Sequence, residues 1–523
     1  MSPNRRIVLN IVATYGRTLV GAACGIFSTR WVLMALGKED FGLYGLIASL
    51  IIFITFVNIQ FAGALSRYYA FSVGEAKITS DPVFALEECR KWFSVGVAIH
   101  IVIPLLLVVI GYPLGVWAIR SGFVGVPINR VDACIWLWRF TCISSFVGML
   151  NVPFSAMYAA KQYIAELTVY SFMQTLAKTL FIYYMTLRDA DWLVNYGLAT
   201  CLIVIIPQLV ICARAFVVFP ECRLRMRYIM LGAYIKKLVT YAGWQTFGVL
   251  GYLARHEFLT VVINRCFGPI VTASFTIGGT VSAEAASLTG ALNSAFSPAI
   301  TTACGERDWS KVRTMCYQAC KFGSLLTLIF AIPLGLEIPE VLRLWLKDVP
   351  QWAEGICLVM ISVVVVEKLT LGHMIGMNAS GKIALFQVCR GLSCISAIPF
   401  AILAVLVYHH VYAIPLALLF TTCVAGCSDI WLARKRIGLS ARYWASHILI
   451  PILFATLISS LIGFSTRFFM QQSFLRVVTT TLFALTSLIP VAFFSVLNTE
   501  ERSFLVRKTT EFKKKYSTVV ITK

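Results

Sequence analysis

The sequence predicts an all-α polytopic membrane protein of about 14 transmembrane helices with both termini cytoplasmic. Three observations carry this. Of 523 residues, 59% belong to the hydrophobic set and only 13% are charged, with a mean hydropathy of +0.81, whereas soluble domains carry about 25% charge. Apolar runs near the length needed to cross about 30 Å of hydrocarbon recur throughout with short polar gaps, leaving no room for a large soluble domain. The basic residues, finally, fall in alternate gaps.

Taken in order, the first span covers 9–33. Its leading stretch "MSPNRRIVLNIVATYGRTLV" has an Arg pair but no short apolar core ending in a small-residue cleavage site, and is read as a retained helix. Spans at 41–63, 93–116, 135–157, 164–187 and 192–218 complete a first set of six, segment 1–218. Residues 219–237, "FPECRLRMRYIMLGAYIKK", form a cytoplasmic interlobe linker whose alternating basic and apolar residues suit a membrane interface, or alternatively a solvated basic face. Spans at 238–263, 270–300, 321–345, 353–377, 383–407 and 411–433 make the second set, segment 238–436. Two more, 444–464 and 474–497, fill 437–498. The basic tail 499–523 sets Leu505, Thr509, Phe512 and Tyr516 on one helical stripe beside lysines, which suits anionic lipids of the inner leaflet or, as for the linker, a solvated basic face.

Lys and Arg exceed Asp and Glu by 45 to 24, a net charge of +21. With the N-terminus inside, 29 of those 45 cations lie in inner segments and the tail. Outer segments hold eight, among them Lys347, Arg467 and Arg476, and eight lie within spans. Most of the excess is therefore topology, and no nucleic-acid partner is implied.

An internal repeat sharpens the organisation. "LGKEDFGLYGL" at 36–46 and "FGPIVTASFTI" at 267–277 align at an offset of 231, pairing Gly37 with Gly268 and Tyr44 with Phe275. The same offset pairs "SRYYAFSVGE" at 66–75 with "SPAITTACGE" at 297–306, so that Gly74-Glu75 and Gly305-Glu306 mark equivalent inner loops. An offset of six helices keeps both halves in one orientation, related by an axis along the membrane normal.

The cations within spans are Arg17, Arg30, Arg139, Lys178, Arg255, Arg343, Lys368 and Arg390. Each costs about 2.5 to 3.5 kcal/mol at a helix centre unless it reaches an interface. Arg30, Arg139, Arg343 and Arg390 lie near span ends, where snorkelling serves them. Arg17, Lys178, Arg255 and Lys368 are deeper and call for a neighbouring helix or a watered cavity. Asn10, Thr14, Arg17, Gly21 and Ser28 share one helical face, which fits a cavity wall or close packing through small residues. On the seventh helix, Arg255, His256 and Glu257 are consecutive, but Glu257 points about 200° away from Arg255. Glu257 then needs a partner of its own, with Lys368 a candidate, while His256 serves either an interhelical hydrogen bond or the substrate path. Deep acids are few: Glu257, Glu284 and Glu367 in the second half, and only Glu166 in the first. Cations without acids suit an anionic ligand, and the fork of Arg matches phosphate oxygens.

Signals for enzyme chemistry are weak. The 16 cysteines include C-x3-C pairs but no C-x2-C, His409-His410 stand without an acidic cluster, and neither a P-loop, G-x-S-x-G nor H-E-x-x-H occurs. No cofactor, metal or catalytic residue is expected.

A first helix ending in "TRWVLMALGKEDFGLYGL", then "FGPIVTASFTIGGTVS" leading to "NSAFSPAITTACGERDW", and "LRLWLKDVPQWA" after the ninth helix resemble the bacterial polysaccharide flippases of the multidrug, oligosaccharidyl-lipid and polysaccharide exporter superfamily. The resemblance spans nearly the whole chain. It implies two six-helix lobes around a central cavity, two extra C-terminal helices, and rocker-switch alternating access in a bacterial cytoplasmic membrane. It implies a substrate, a polyprenyl-pyrophosphate-linked oligosaccharide carried from inner to outer leaflet, with glycan assembly enzymes as protein partners. Arg17 and Arg255 are the positions that fit the family's cavity cations by helix and depth, helped by Lys178 and Lys368, with Arg30, Arg139 and His256 also on the expected substrate path. The alternatives are a cation-coupled multidrug exporter of the same superfamily, which should show cavity acids in its first lobe, and a membrane-embedded glycan polymerase or ligase, which should show a sizeable outer loop. A non-transporting scaffold for glycan assembly would tolerate loss of Arg255.

Overall fold

Runs of Leu, Ile, Val and Phe this long leave the backbone no hydrogen-bond partner but itself in hydrocarbon, and helices result. The structure, a computed structural model, describes residues 52–79, 82–121, 126–188, 190–346 and 349–503 together with scattered positions between 10 and 47. Every described position between 10 and 47 is helical, and no strand occurs among the described residues. The tail stripe beyond residue 503 lies outside them.

The principal helices are α1 (Ile52–Thr79), α2 (Pro82–Leu106), α3 (Val131–Ala160), α4 (Ile164–Met185), α5 (Leu193–Val218), α6 (Gly232–Phe267), α7 (Pro269–Gly305), α8 (Trp309–Leu336), α9 (Ile338–Leu346), α10 (Ala353–Leu369), α11 (Leu371–Ser380), α12 (Ala384–Tyr408), α13 (Ala413–Ile437), α14 (Ile450–Ser465) and α15 (Phe474–Val491). Among the described residues eight helical segments are long and apolar enough to cross a membrane, and nine if α10 and α11, bent by 48° at their junction, count as one span. Prolines sit inside α2, α3, α5, α7, α8, α12 and α15. Two widened turns, Leu107–Gly111 and Ala445–Leu449, hold Val109 and His447. These residues lie four positions before Pro113 and Pro451, whose rings push away the carbonyl they would otherwise crowd.

Contacts divide the chain into two compact units. The first comprises Met1–Val249, Ala291–Val312 and Asn378–Val388, and the second Leu250–Gly290, Arg313–Met377 and Cys389–Lys523. In the first unit α3 runs along α5, with Phe154 edge-on to Phe216 at 5.0 Å. Tyr68 stacks on Trp92 at 3.9 Å, and Trp92 meets Tyr234 edge-on at 4.6 Å. The linker is shorter than its sequence suggests. Two single 3-10 turns, Pro220–Cys222 and Met226–Tyr228, precede α6, which already begins at Gly232. Lys161 pairs with Glu221 at 2.5 Å, while the hydroxyls of Tyr228 and Tyr234 donate to Glu87 and Glu88 at 2.7 and 2.8 Å. The segment is thereby docked on the start of α2.

The repeat has two counterparts in the backbone. Gly37 and Gly268, paired at offset 231, both adopt positive φ, 74° and 82°, a region in which a side chain is strained. Gly74 and Gly305, the second pair, abut one another in the first unit, where a Cβ on Gly305 would lie 2.2 Å from the Phe71 carbonyl and one on Gly74 2.0 Å from that of Thr302. Beside them Glu306 accepts from Lys311 at 2.9 Å and pairs with Lys77. Burial alone would raise the Glu306 carboxyl, but hydrogen bonds and charge from Lys77 and Lys311 outweigh it and hold it below the usual carboxylate range. About two turns before Gly74 on α1, Arg67 donates to the carbonyls of Asn378 and Ala379 at 3.0 to 3.2 Å and lies over the ring of Tyr241 at 5.0 Å.

In the second unit the C-terminal helices are pinned by a buried ion pair. Glu337, at the junction of α8 and α9, is fully buried. Arg476 on α15 donates to it through Nη2 at 2.7 Å and through Nε to both oxygens at 3.1 Å. Thr480 adds a third donor at 3.0 Å and meets the Thr466 hydroxyl at 2.6 Å. The sequence assigns Arg476 to an outer segment, and its carboxylate partner was not among the expected deep acids.

Candidate substrate site

Arg255 lies two-thirds of the way along α6, is only 7% exposed, and spreads its guanidinium over the Tyr252 ring at 4.8 Å. Tyr252 is three residues earlier on the same helix, so the contact follows from helical spacing. Across from Arg255, Nη2 stands 4.0 Å from the Glu367 carboxylate. Glu367 and Lys368 occupy the last turn of α10, where the chain bends by 48° into α11. A broken helix at that depth frees backbone groups, which membrane proteins tolerate where protein or a watered cavity satisfies them.

Lys368 is within electrostatic reach of Glu367 and Arg390. Arg390, on α12, stands 3.8 Å from Asp429 on α13. Asp429 is 2% exposed, and its Oδ1 has no hydrogen-bond partner among the described residues. Among the described residues, four elements of the second unit thus bring together Arg255, Lys368 and Arg390 with Glu367 and Asp429, three cations against two carboxylates. Both ion pairs are long, at or near 4 Å.

The first unit supplies cations of a different kind. Arg17 is exposed and Lys178, on α4, half-buried, and neither has an ion-pair or hydrogen-bond partner among the described residues. Around Arg17, Thr14 donates to the Asn10 carbonyl at 2.7 Å and Thr18 to that of Thr14 at 2.9 Å. Asn10 bonds to Gln162 and Ala165, and Ser28 to Thr179. The first helix therefore runs parallel to α4, as first and fifth spans must. That register places Arg17 and Lys178 at different levels, on the order of 15 Å apart along the axis.

The remaining expected residues divide. Arg139 donates to the Tyr112 hydroxyl at 3.0 Å and lies over Trp136 at 4.6 Å, so its charge has local partners. Arg30 and the side chains of His256 and Glu257 lie outside the described residues. Glu284 is exposed, and Glu166 is paired with Arg214. Sequence reasoning missed Asp429 and read Arg390 as a snorkelling cation. The signal for both was present, a single acid in "AGCSDIWLARKR" and a single Arg in "FQVCRGLSC", but nothing in either stretch says that α12 and α13 meet there.

No family model matches the sequence, and no curated protein sequence matches it. Solved structures do. A multidrug resistance MATE family transporter of the MOP superfamily in an outward-facing conformation aligns with a TM-score of 0.67 at 17% identity, covering 84% of this chain and 96% of that one. A MATE protein in the bent conformation gives 0.68 at 16% identity over the same shares. A MOP superfamily transporter from Pyrococcus furiosus, described as having a binding pocket of reverse polarity that suggests a different function, gives 0.67 at 16%, again over 84% and 96%. Identities this low speak for architecture alone, and the architecture is unambiguous: this chain has the multi-pass, all-helical fold of the MATE transporters of the MOP superfamily.

Proposed function

We propose that this protein is a flippase that moves a polyprenyl-pyrophosphate-linked oligosaccharide from the inner to the outer leaflet of a bacterial cytoplasmic membrane by alternating access. The observation that carries the reading is the sign of the charge at span depth. Among the described residues Arg17 and Lys178 stand without carboxylate partners, and Arg255, Lys368 and Arg390 outnumber Glu367 and Asp429. A pyrophosphate presents several oxyanions to such groups, and each charge-assisted hydrogen bond contributes about 1.5 to 3 kcal/mol. The reading draws support from the Pyrococcus furiosus neighbour of the same fold, described as having a binding pocket of reverse polarity that suggests a different function.

The test is leaflet reversal of a fluorescent polyprenyl-pyrophosphate oligosaccharide in vesicles containing only this protein. Wild type exposes the label to a membrane-impermeant quencher, and Arg255→Ala at equal insertion does not. Reversal at the wild-type rate by Arg255→Ala removes the assignment. A second reading, a cation-coupled multidrug exporter, draws on the MATE neighbours and on buried Asp429. Vesicles that expel a cationic dye under an ion gradient while leaving the pyrophosphate lipid unmoved would establish it instead.

A further inference from the structure

The second unit holds a cavity of about 720 Å³ away from the charge cluster described above. It opens where α8 ends, α9 follows, and α10 and α13 begin, the end that the basic-residue pattern assigns to the outer face. The volume lies within the range of small-ligand sites. Its polar lining includes Arg343, Arg467 and Glu354, and its aromatic lining Trp352, Tyr412 and Phe464. Among the described lining residues two guanidiniums therefore face one carboxylate.

The walls are set by packing. Arg467 donates to the Leu336 carbonyl and lies over Phe464 at 5.2 Å. Arg343 donates to Gln472 at 2.5 Å and stands 3.8 Å from Glu340. Each guanidinium has five N–H groups, so these contacts orient it and leave donors over. The Leu336–Ile338 wall is anchored by the buried Glu337–Arg476 pair. Trp352 has a φ of 75°, a left-handed backbone that a bulky residue adopts only when its surroundings impose it. It is held between His410 at 5.5 Å and Tyr412 at 5.7 Å. Next to Arg343 and Arg467 in the chain, Leu344, Trp345, Phe468 and Phe469 are all more than half exposed, an aromatic and apolar set that suits a membrane–water interface.

We propose that this cavity is a binding site for the headgroup of a zwitterionic aminophospholipid. The phosphate sits on Arg343 and Arg467, the ammonium lies between Glu354 and the faces of Trp352 and Tyr412, and the acyl chains pass beside Trp345, Phe468 and Phe469. A guanidinium pair alone would favour acidic lipids. Glu354 in the same cavity turns the preference toward a headgroup carrying both signs, and the aromatic faces attract an ammonium.

The full-length protein would be purified from membranes, and lipid retention read by native mass spectrometry with phosphatidylethanolamine, phosphatidylglycerol and phosphatidylcholine in competition. Thermal unfolding would be followed with added dihexanoyl phosphatidylethanolamine or farnesyl pyrophosphate. Wild type is expected to retain phosphatidylethanolamine preferentially and to melt higher with the short-chain form. Arg343→Gln, an exposed position outside the packed core, should weaken retention at least tenfold without lowering the unliganded melting temperature. Glu354→Gln should abolish the preference over phosphatidylglycerol while keeping phosphate binding. Retention by Arg343→Gln equal to wild type, or a wild-type preference for phosphatidylglycerol, overturns the proposal. Preferential stabilisation by farnesyl pyrophosphate also overturns it and assigns the cavity to the transported lipid. Failure of leaflet reversal leaves this site untouched, so the two readings fail separately.

Discussion

Arg255 is a buried charge with only a long ion pair beside it. Its aliphatic stem and the Tyr252 ring make it compatible with a buried helix face, and the 4.0 Å separation from Glu367 leaves its charge only partly spent. Replacing it by Lys keeps the charge and loses the fork, so reversal of the lipid-linked substrate should fall by about tenfold in Arg255→Lys and by more in Arg255→Ala, both measured at equal protein in vesicles. Glu337 makes the opposite case, a charge fully spent on structure. Glu337→Gln leaves Arg476 buried without its counter-ion and should cost about 3 to 5 kcal/mol. A double replacement of Glu337 and Arg476 by Met should recover most of that, and an unchanged melting temperature in the single variant would deny the pin its role. Glu306 adds a pH dependence. Its folded pKa is depressed by Lys77 and Lys311, so it stabilises the fold above the ordinary value of 4.5 and loses that contribution as pH falls through the folded value. The melting temperature of wild type should exceed that of Glu306→Gln at neutral pH, with the gap closing below about pH 4.5. A gap that widens on acidification would reverse the assignment.

The helices themselves were legible because hydrophobic length is a property of sequence. The span expected at 353–377 is instead two helices bent by 48° between Leu369 and Leu371. Gly372, two residues beyond Thr370, packs so closely that a Cβ there would lie 1.8 Å from the Cys316 carbonyl. Thr370 donates weakly to the Glu367 carbonyl at 3.4 Å, and the bend places Glu367 and Lys368 against α6 and α12. Likewise α6 starts at Gly232, inside the expected linker, because "GAYIKK" carries helix-forming residues in phase with the span that follows. The Gly74–Gly305 contact tests element packing directly. A methyl on Gly305 meets backbone atoms that no rotamer change can move, so Gly305→Ala should lower stability by about 1 to 3 kcal/mol. Thermal unfolding of Gly305→Ala beside Gly63→Ala, where a Cβ meets nothing within 4 Å, provides the comparison; equal melting temperatures would mean that the ends of α1 and α7 need not touch.

Over the whole chain, composition and the spacing of apolar runs were enough to determine an all-helical membrane fold, because the bilayer enforces both length and internal hydrogen bonding on any sequence that crosses it. The repeat at offset 231 was legible for a related reason: positions such as Gly37 and Gly268 must meet the same backbone requirement in each half, whatever surrounds them. Which charges belong together was not. Arg390 and Asp429 are 39 residues apart in sequence, Glu337 and Arg476 139 apart, and no helix taken alone names the partner of its buried charge. A lone charge in an apolar run states its own cost, but whether that cost is met by a close structural partner, as at Glu337, or by a longer pair, as at Arg255, depends on which helix packs beside it. That choice is made by side-chain shape across several helices at once, and only the tertiary structure decided it.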